Sequence, residues 1–339
     1  MKYSKHILLA LAIICNSCAN DDTEITNKEP TVKDIYISGY VYEFGDNKAK
    51  YWKNGTEVPL TDGTKRSVAH AITVVGNDVY VAGYEYNEIG NSVAKYWKNG
   101  VAISLSDDKN MAEATAITVV ENDVYVAGYE TNNSYNNIVK YWKNGIATSV
   151  SKTFGRHFDL RVVGNDIYIA GKGESGPAYW KNGIETTLSN NYGEATAITV
   201  VGNDVYAVGY EFKNHKSVAM YWKNGTATQL SDDSKEAVAN ALAVNGSDVY
   251  VAGHEINKSG YGAKYWKNGV GISLSATSES TLTSAISVVG NKVFVSGTQF
   301  IITPERSSQT IFKYWENGIP TVAATVFLGF TTGIVVTTK

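Results

Sequence analysis

Apolar residues in this chain come in short runs separated by turn-forming residues, and the runs return in the same order many times. Ala71-Ile72-Thr73-Val74-Val75 is followed, across Gly76-Asn77-Asp78, by Val79-Tyr80-Val81-Ala82-Gly83-Tyr84. Runs rich in β-branched and aromatic residues, bounded by Gly, Asn and Asp, predict strands. A third strand is predicted from Ala94 to Lys98 and a fourth from Val101 to Leu105, joined by Asn99-Gly100. Asn-Gly between two apolar runs is a strong hairpin signal, because both turn residues must accept positive φ. A two-residue loop there sets Trp97 opposite Ala102 and Tyr96 opposite Ile103. Both faces of the resulting sheet are mostly apolar. A lone four-stranded sheet cannot hide both, so such units must stack.

The unit recurs nearly unchanged from Ala116 and from Ala197, with weaker copies from Asp159, Ala241 and Ala285. Each is followed by Tyr-Trp-Lys-Asn-Gly or a near variant. All seven Trp of the chain (52, 97, 142, 180, 222, 266 and 315) lie in that motif, 38 to 49 residues apart. This period is typical of β-propeller blades. The first Trp repeat opens at Asp34-Ile35-Tyr36-Ile37, which matches a second strand and lacks its first. The chain ends with Thr331-Thr332-Gly333-Ile334-Val335-Val336-Thr337, which matches a first strand with nothing after it. One orphan strand at each end makes one whole blade. The expected fold is therefore all-β: a seven-bladed propeller, four antiparallel strands per blade, closed by the C-terminal strand joining the N-terminal blade.

The order Ala-x-Ala-Ile-x-Val…Gly, then Tyr-Trp-Lys-Asn-Gly, resembles the extracellular HAF-type repeat over nearly all of residues 34–339. That resemblance implies a secreted, propeller-like architecture and carries no established activity. A looser similarity to kelch repeats rests on strand order, with Ala82-Gly83 standing where that family has a Gly-Gly pair.

Composition agrees with strands and tight turns: 339 residues, 43% apolar, 19% charged, 23 Tyr, 31 Gly and only 5 Pro. A formal net charge of −3 gives no electrostatic footprint for nucleic acid. Lys2 and Lys5 precede an apolar stretch from Ile7 to Ile14, right for the core of a signal peptide and too short to span a bilayer. Cys15-Asn16-Ser17-Cys18, followed by Ala19-Asn20-Asp21-Asp22, resembles the lipobox and surface-export signal of some Gram-negative lipoproteins, with Cys15 where a Leu-like residue is usual. The expected organisation is a lipoprotein signal peptide over 1–17, lipidation at Cys18, a disordered tether over 18–33 and one propeller domain over 34–339. An ordinary secretory signal is the alternative. Both Cys fall in this leader, so the body has no disulfide to rely on.

In a propeller, tight turns and long connections fall on opposite faces. The Gly-Asn-Asp and Lys-Asn-Gly turns hardly vary, whereas the second-to-third-strand loops and the links between blades differ strongly. Recognition belongs on the variable face. Two rings of equivalent positions are expected to line its centre. Just before the first strands come His70, Thr115, Phe158, Thr196, Asn240, Ser284 and Thr332; just after the second strands come Val41, Glu85, Glu130, Gly173, Glu211, Glu255 and Gln299. The four Glu would form an acidic rim, or else pair with Lys95, Lys140 and Lys264; the pairing is the favoured reading, with Met220 facing Glu211. His157 and His254 join His70 as His departures from the repeat. Asp62, Asp107-Asp108 and Asp232-Asp233 lack calcium-loop spacing and read as turn formers.

No nucleophile–base set, no metal-ligand spacing and no cofactor motif is present. The sequence leans away from an enzyme. The first expectation is a monomeric, surface-exposed lipoprotein of the outer membrane that binds a glycan or a protein on the variable-loop face. The alternatives are a carbohydrate-active enzyme, glycosidase or lyase, with carboxylates at the central rim, and an architectural protein without a small ligand.

Overall fold

The computed structural model describes residues 29–132, 134, 136–153, 155, 158–232, 234–302 and 308–339. These residues form seven four-stranded antiparallel sheets and, among the described residues, no helix. The chain is a seven-bladed β-propeller. Blade 2 runs from the centre outward as Ser67–Val75, Asp78–Tyr86, Ser92–Lys98 and Val101–Ser104. Trp97 lies opposite Ala102 and Tyr96 opposite Ile103, as the two-residue Asn-Gly loop demands. Asn99 and Gly100 sit at φ 50° and 82°, and the equivalent Asn-Gly pairs of the other blades repeat these angles.

Blade 1 is composite. Its strand order is Gly329–Thr338, Val32–Glu43, Asp46–Lys53, Thr56–Pro59, so the end of the chain supplies the inner strand of the blade that begins it. Ile37 pairs with Ile334, Tyr36 with Val335, and the Lys339 N–H donates to the Thr31 carbonyl at 3.0 Å. The ordered body starts earlier than residue 34. Its second strand begins at Val32, Pro30 rests beside Gly290, and Asn291 Nδ2 donates to Glu29 Oε1 at 2.7 Å. The expected signal peptide, Cys18 and tether residues 18–28 lie outside the described residues.

The blades are held together by burial. All seven Trp are at most 2% exposed. Each packs on the blade before it: Trp97 against Tyr36, Ala49 and Leu60 of blade 1, and Trp142 against Tyr80, Ala94 and Leu105 of blade 2. Trp52 closes the circle by meeting Phe312 of blade 7 edge-on, with ring centroids 4.9 Å apart. The position of these rings excludes them from stacking on any external ligand. Five of the buried indoles, Trp97, Trp142, Trp180, Trp222 and Trp315, have no hydrogen-bond partner for their N–H among the described residues, so their contribution is packing.

The invariance of the tight-turn face has a direct cause. In blade 2 the Asn99 side chain accepts the Val79 N–H at 2.9 Å and donates to Asp78 Oδ1 at 2.8 Å, while Lys98 Nζ reaches Asp78 Oδ2 at 2.9 Å. One turn is thereby tied to the other. Asp123, Asp166, Asp204 and Asp248 repeat the arrangement with their own Lys and Asn. Blade 7 swaps the charges: Lys292 replaces the Asp, Glu316 replaces the Lys, and the two meet at 2.7 Å. The Asn99 hydrogen bond, then Lys98, holds the Asp78 carboxyl below the usual carboxylate range.

Two outcomes follow from this packing. Trp142→Ala should lower the stability of the fold by about 3–5 kcal/mol, with Trp142→Phe costing less because it also removes an unpaired buried donor; chemical denaturation measures both. Removing residues 330–339 strips the inner strand from blade 1 and should abolish the single cooperative transition in calorimetry. Melting unchanged by that truncation would contradict closure by this strand.

Candidate binding site in the central cavity

The first strands surround a cavity of about 500 Å³ on the side of the variable loops. How it is shaped depends on a repeated irregularity. In blade 2 the register steps between Ala69 and Ala71, leaving His70 as the extra residue of a β-bulge. Thr115, Thr196, Asn240, Ser284 and Thr332 occupy the same bulge in blades 3, 5, 6, 7 and 1. A bulge re-aims its side chain and bends its strand. Here it turns these residues to the cavity wall, which Phe158 of blade 4 also lines. The bulge also presses the Val68 carbonyl against the second strand: a Cβ on Gly83 would stand 1.9 Å from that oxygen, and Gly128 and Gly209 meet the same obstacle.

The first expected ring is therefore real, but it lies within the first strands and not before them. The strand starts at Ser67, upstream of the expected Ala71, because the bulge breaks the alternation that marks a strand. Most of its hydroxyls are already engaged between blades. Thr115 Oγ1 donates to the Phe158 carbonyl at 2.9 Å, Thr196 Oγ1 to that of Ala239 at 2.6 Å, Asn240 Nδ2 to that of Thr283 at 2.7 Å, and Ser284 Oγ to that of Thr331 at 2.7 Å. These four bulges thus bracket the next blade, whereas Thr332 Oγ1 meets Ser38 Oγ of its own blade at 3.0 Å. His70 departs from this: its Nε2 is buried without a hydrogen bond, 3.7 Å from Glu113 of blade 3. His157 lies outside the described residues.

The second expected ring is corrected. Glu85, Glu130, Glu211 and Glu255 sit inside the second strands and do not line the cavity. Tyr40 does line it, and alternation turns its neighbour Val41, hence the Glu at equivalent positions, to the other face. Those carboxylates meet lysines: Glu85 with Lys95 at 2.8 Å, Glu130 with Lys140 at 2.5 Å and Glu255 with Lys264 at 2.5 Å. Glu211, which lacks that lysine, is buried with Lys213 at 3.3 Å and the Asn191 amide at 2.8 Å. Glu130 also borders a separate open recess of about 370 Å³ with Asn110 and Lys140. Asp62, Asp107 and Asp232 cap turns by accepting the N–H two residues on.

Blade 4 breaks the pattern, and sequence reasoning missed how. Its first strand is short, Asp159–Val163, and has no bulge. Where blades 2, 3 and 5 read Ala-Ile-Thr it reads Asp159-Leu160-Arg161. Asp159 Oδ2 accepts the Ile198 N–H of blade 5 at 2.9 Å, taking over the bracket that Phe158 cannot make. Arg161 Nη1 donates to Asp159 Oδ1 at 3.1 Å and to the Leu160 carbonyl at 2.7 Å, and its guanidinium lines the cavity. The signal was available as a double departure from an otherwise regular strand.

An aromatic crescent occupies the far side. His254 meets Tyr261 (5.2 Å between centroids), Tyr261 meets Phe300 (6.4 Å), Phe300 meets Phe330 (5.5 Å) and Phe330 meets Tyr40 (5.6 Å). These rings belong to blades 6, 7 and 1. Tyr84 and Tyr86 of blade 2 extend the rim, with the Arg66 guanidinium 4.9 Å over Tyr86. Burial pushes the Tyr84 hydroxyl up and raises Tyr210 to about 12, with Glu194 adding to the latter. Desolvation lowers His254 to about 4, so the ring is neutral and its Nδ1 can accept from Asn240 at 3.3 Å.

No family model matches the chain, so membership of the HAF-type family is not shown. No curated protein matches it in sequence. Among solved structures it is similar to a puromycin-hydrolysing peptidase of Mycobacterium tuberculosis, with TM-score 0.54 and 10% identity over 88% of this chain. The chain spans about half, 53%, of that protein's length. Weaker likenesses include a GH43_1 enzyme from Xanthomonas citri complexed with xylose (TM-score 0.37, 6% identity, covering 74% of this chain and 91% of that one). A GH32 β-fructofuranosidase of Bombyx mori is another (0.36, 9%, 91% and 89%). What is shared is the fold.

The His254 environment has a pH signature. Unfolding returns the imidazole to its ordinary affinity for protons, so from pH 6.5 down to about 4 the unfolded chain is protonated first and stability falls. His254→Tyr, the residue at this position in blades 2, 3 and 5, should flatten the fall over that interval. Thermal melts at half-unit pH steps test it; an unchanged slope would refute a buried neutral imidazole.

Proposed function

We propose that this protein is a lipid-anchored binding module of the outer-membrane surface, whose ligand, a glycan or a protein segment, seats at the central cavity on the variable-loop face. The observation that carries the reading is the placement of that cavity relative to the chain's start. Strand Val32–Glu43 begins, and strand Gly329–Thr338 ends, at the tight-turn face, where Val32 pairs with Thr338 and Glu29 is held by Asn291. A leader running back to Cys18 leaves from that face. The cavity, the bulges and the variable loops then point away from the membrane, where a ligand arrives.

The uniform face supports the same division of labour. Its Asp, Lys and Asn are spent on each other, whereas Arg161, His70 and the aromatic crescent hold polar and apolar surface around a concave space, the usual composition of a ligand site. Carbohydrate hydrolysis would call for two carboxyls about 5–10 Å apart across a bond. Among the described residues the carboxylate lining the cavity is Asp159, and both of its oxygens are engaged. Binding without turnover is therefore the better reading.

The test is capture by the anchored protein and by a variant with the cavity filled. His70→Trp places a large ring where an unbonded imidazole now stands, so the fold should survive while ligand retention from cell-surface glycans and proteins falls at least tenfold. Retention equal in both, with matching melting curves, would move the site off the cavity.

A further inference from the structure

The two sides of the cavity differ in chemistry. In a ring of seven blades, blade 4 stands across from the junction of blades 7 and 1. Arg161 therefore faces the wall that carries Phe300, Phe330 and Tyr40. Those rings, with Tyr261, are all partly exposed and descend from the rim into the cavity: Tyr261 is 38% exposed at the top, while Phe330 and Tyr40 line the interior. They touch one another in sequence, so they form one wall. Among the described residues, the two bonds made by Arg161 both leave from Nη1.

We propose that Tyr261, Phe300, Phe330 and Tyr40 form a stacking wall for a saccharide ring, with Arg161 as its polar anchor on the opposite side. This rests on the binding reading above and names the ligand class that the cavity takes. A pyranose presents a flat face of C–H groups and an edge of hydroxyls. It needs an aromatic surface on one side and directed donors on the other, and both line this cavity. The seven Trp are sealed between blades, so the continuous aromatic surface at the cavity comes from Tyr40 and Phe330, which line it, and from Phe300 and Tyr261, which extend them outward. A guanidinium serves hydroxyl or carboxylate oxygens through planar, directed N–H groups. Tyr40 and Asn240 add polar atoms at the wall itself. The surroundings are not cationic overall: Asp159 pairs with Arg161, Glu113 lies near His70, and Glu194 acts on Tyr210. That balance suits hydroxyl recognition and does not depend on an anionic ligand. A protein partner would bury about 800 Å² per side over the loop tips, whereas these rings lead inward to a space of about 500 Å³.

A microarray of neutral and uronate-containing oligosaccharides, followed by titration calorimetry on the whole chain, tests the assignment. Tyr261→Ala and Phe300→Leu remove parts of the exposed wall and should each weaken the best saccharide about tenfold without shifting the melt. Arg161→Gln should weaken it too, and Arg161→Lys should restore part of the loss. Saccharide binding indifferent to Tyr261→Ala and Phe300→Leu overturns the stacking wall, although the module still binds sugars elsewhere. Capture of a protein that His70→Trp abolishes, with no saccharide bound, overturns the ligand class and leaves the cavity reading standing. No ligand of either kind at the cavity ends both.

Discussion

Every blade of this molecule has two apolar faces and no means of covering either alone. That constraint explains the ring. Stacking each sheet on its neighbour hides one face of each, but an open stack of any length leaves two ends bare. Only closure removes the ends, and closure has to be completed twice here: by hydrogen bonds where Gly329–Thr338 joins Val32–Glu43, and by packing where Trp52 meets Phe312. The Trp on the third strands measure the consequence. Each is sealed against the preceding blade, so their regular spacing records a packing requirement.

A ring of identical blades would have a featureless centre. This one acquires features because a bulge near the start of six of the seven inner strands turns one side chain toward the axis, and in four of them that side chain brackets the adjacent blade. The opposing second strand then needs Gly, since the displaced carbonyl occupies the space of a Cβ. Scaffold and site therefore share residues, and the hydroxyls that look most ready for a ligand are largely committed to holding blades together. Specific chemistry falls to the exceptions: His70, which makes no bracket; blade 4, which has no bulge; and the rings of blades 6, 7 and 1.

Much of the architecture was legible because its signals are local and repeated. Asn-Gly at positive φ, the Trp period and the split blade led to strand pairing, register and closure. Residues 70 and 115 were also placed correctly at the centre. The Glu ring was not, for a reason of parity: Glu85 follows Tyr84 in the strand, and one step along a strand reverses the face. The bulge was hidden because it interrupts the alternation used to find strands. Tyr40, Phe300 and Phe330 went unnoticed because they converge from three blades, and no local pattern records contact between positions so far apart in the chain. Arg161 was different. Its departure from the Ala-Ile-Thr of blades 2, 3 and 5 stands in the sequence itself.

The division between the two faces has a thermodynamic logic. On the tight-turn face of blades 2 to 6 each Asp serves both an Asn and a Lys, so a single change strands two partners; blade 7 keeps an ion pair there with both charges reversed, Lys292 with Glu316. On the other face the bonds between loops differ from blade to blade, as where Asn91 Nδ2 donates to the Asp108 and Lys109 carbonyls and Lys65 meets Glu88 at 2.8 Å. The connections between second and third strands run from two residues, as at 44–45 and 214–215, to five, as at 87–91, while the strands beneath them keep register. The repeated network lies where the chain turns tightly, and on the proposed binding face the bonds are particular to each blade. A fold organised in this way can alter its ligand without altering its ring, which is why the exceptions in the repeat are better guides to function than the repeat itself.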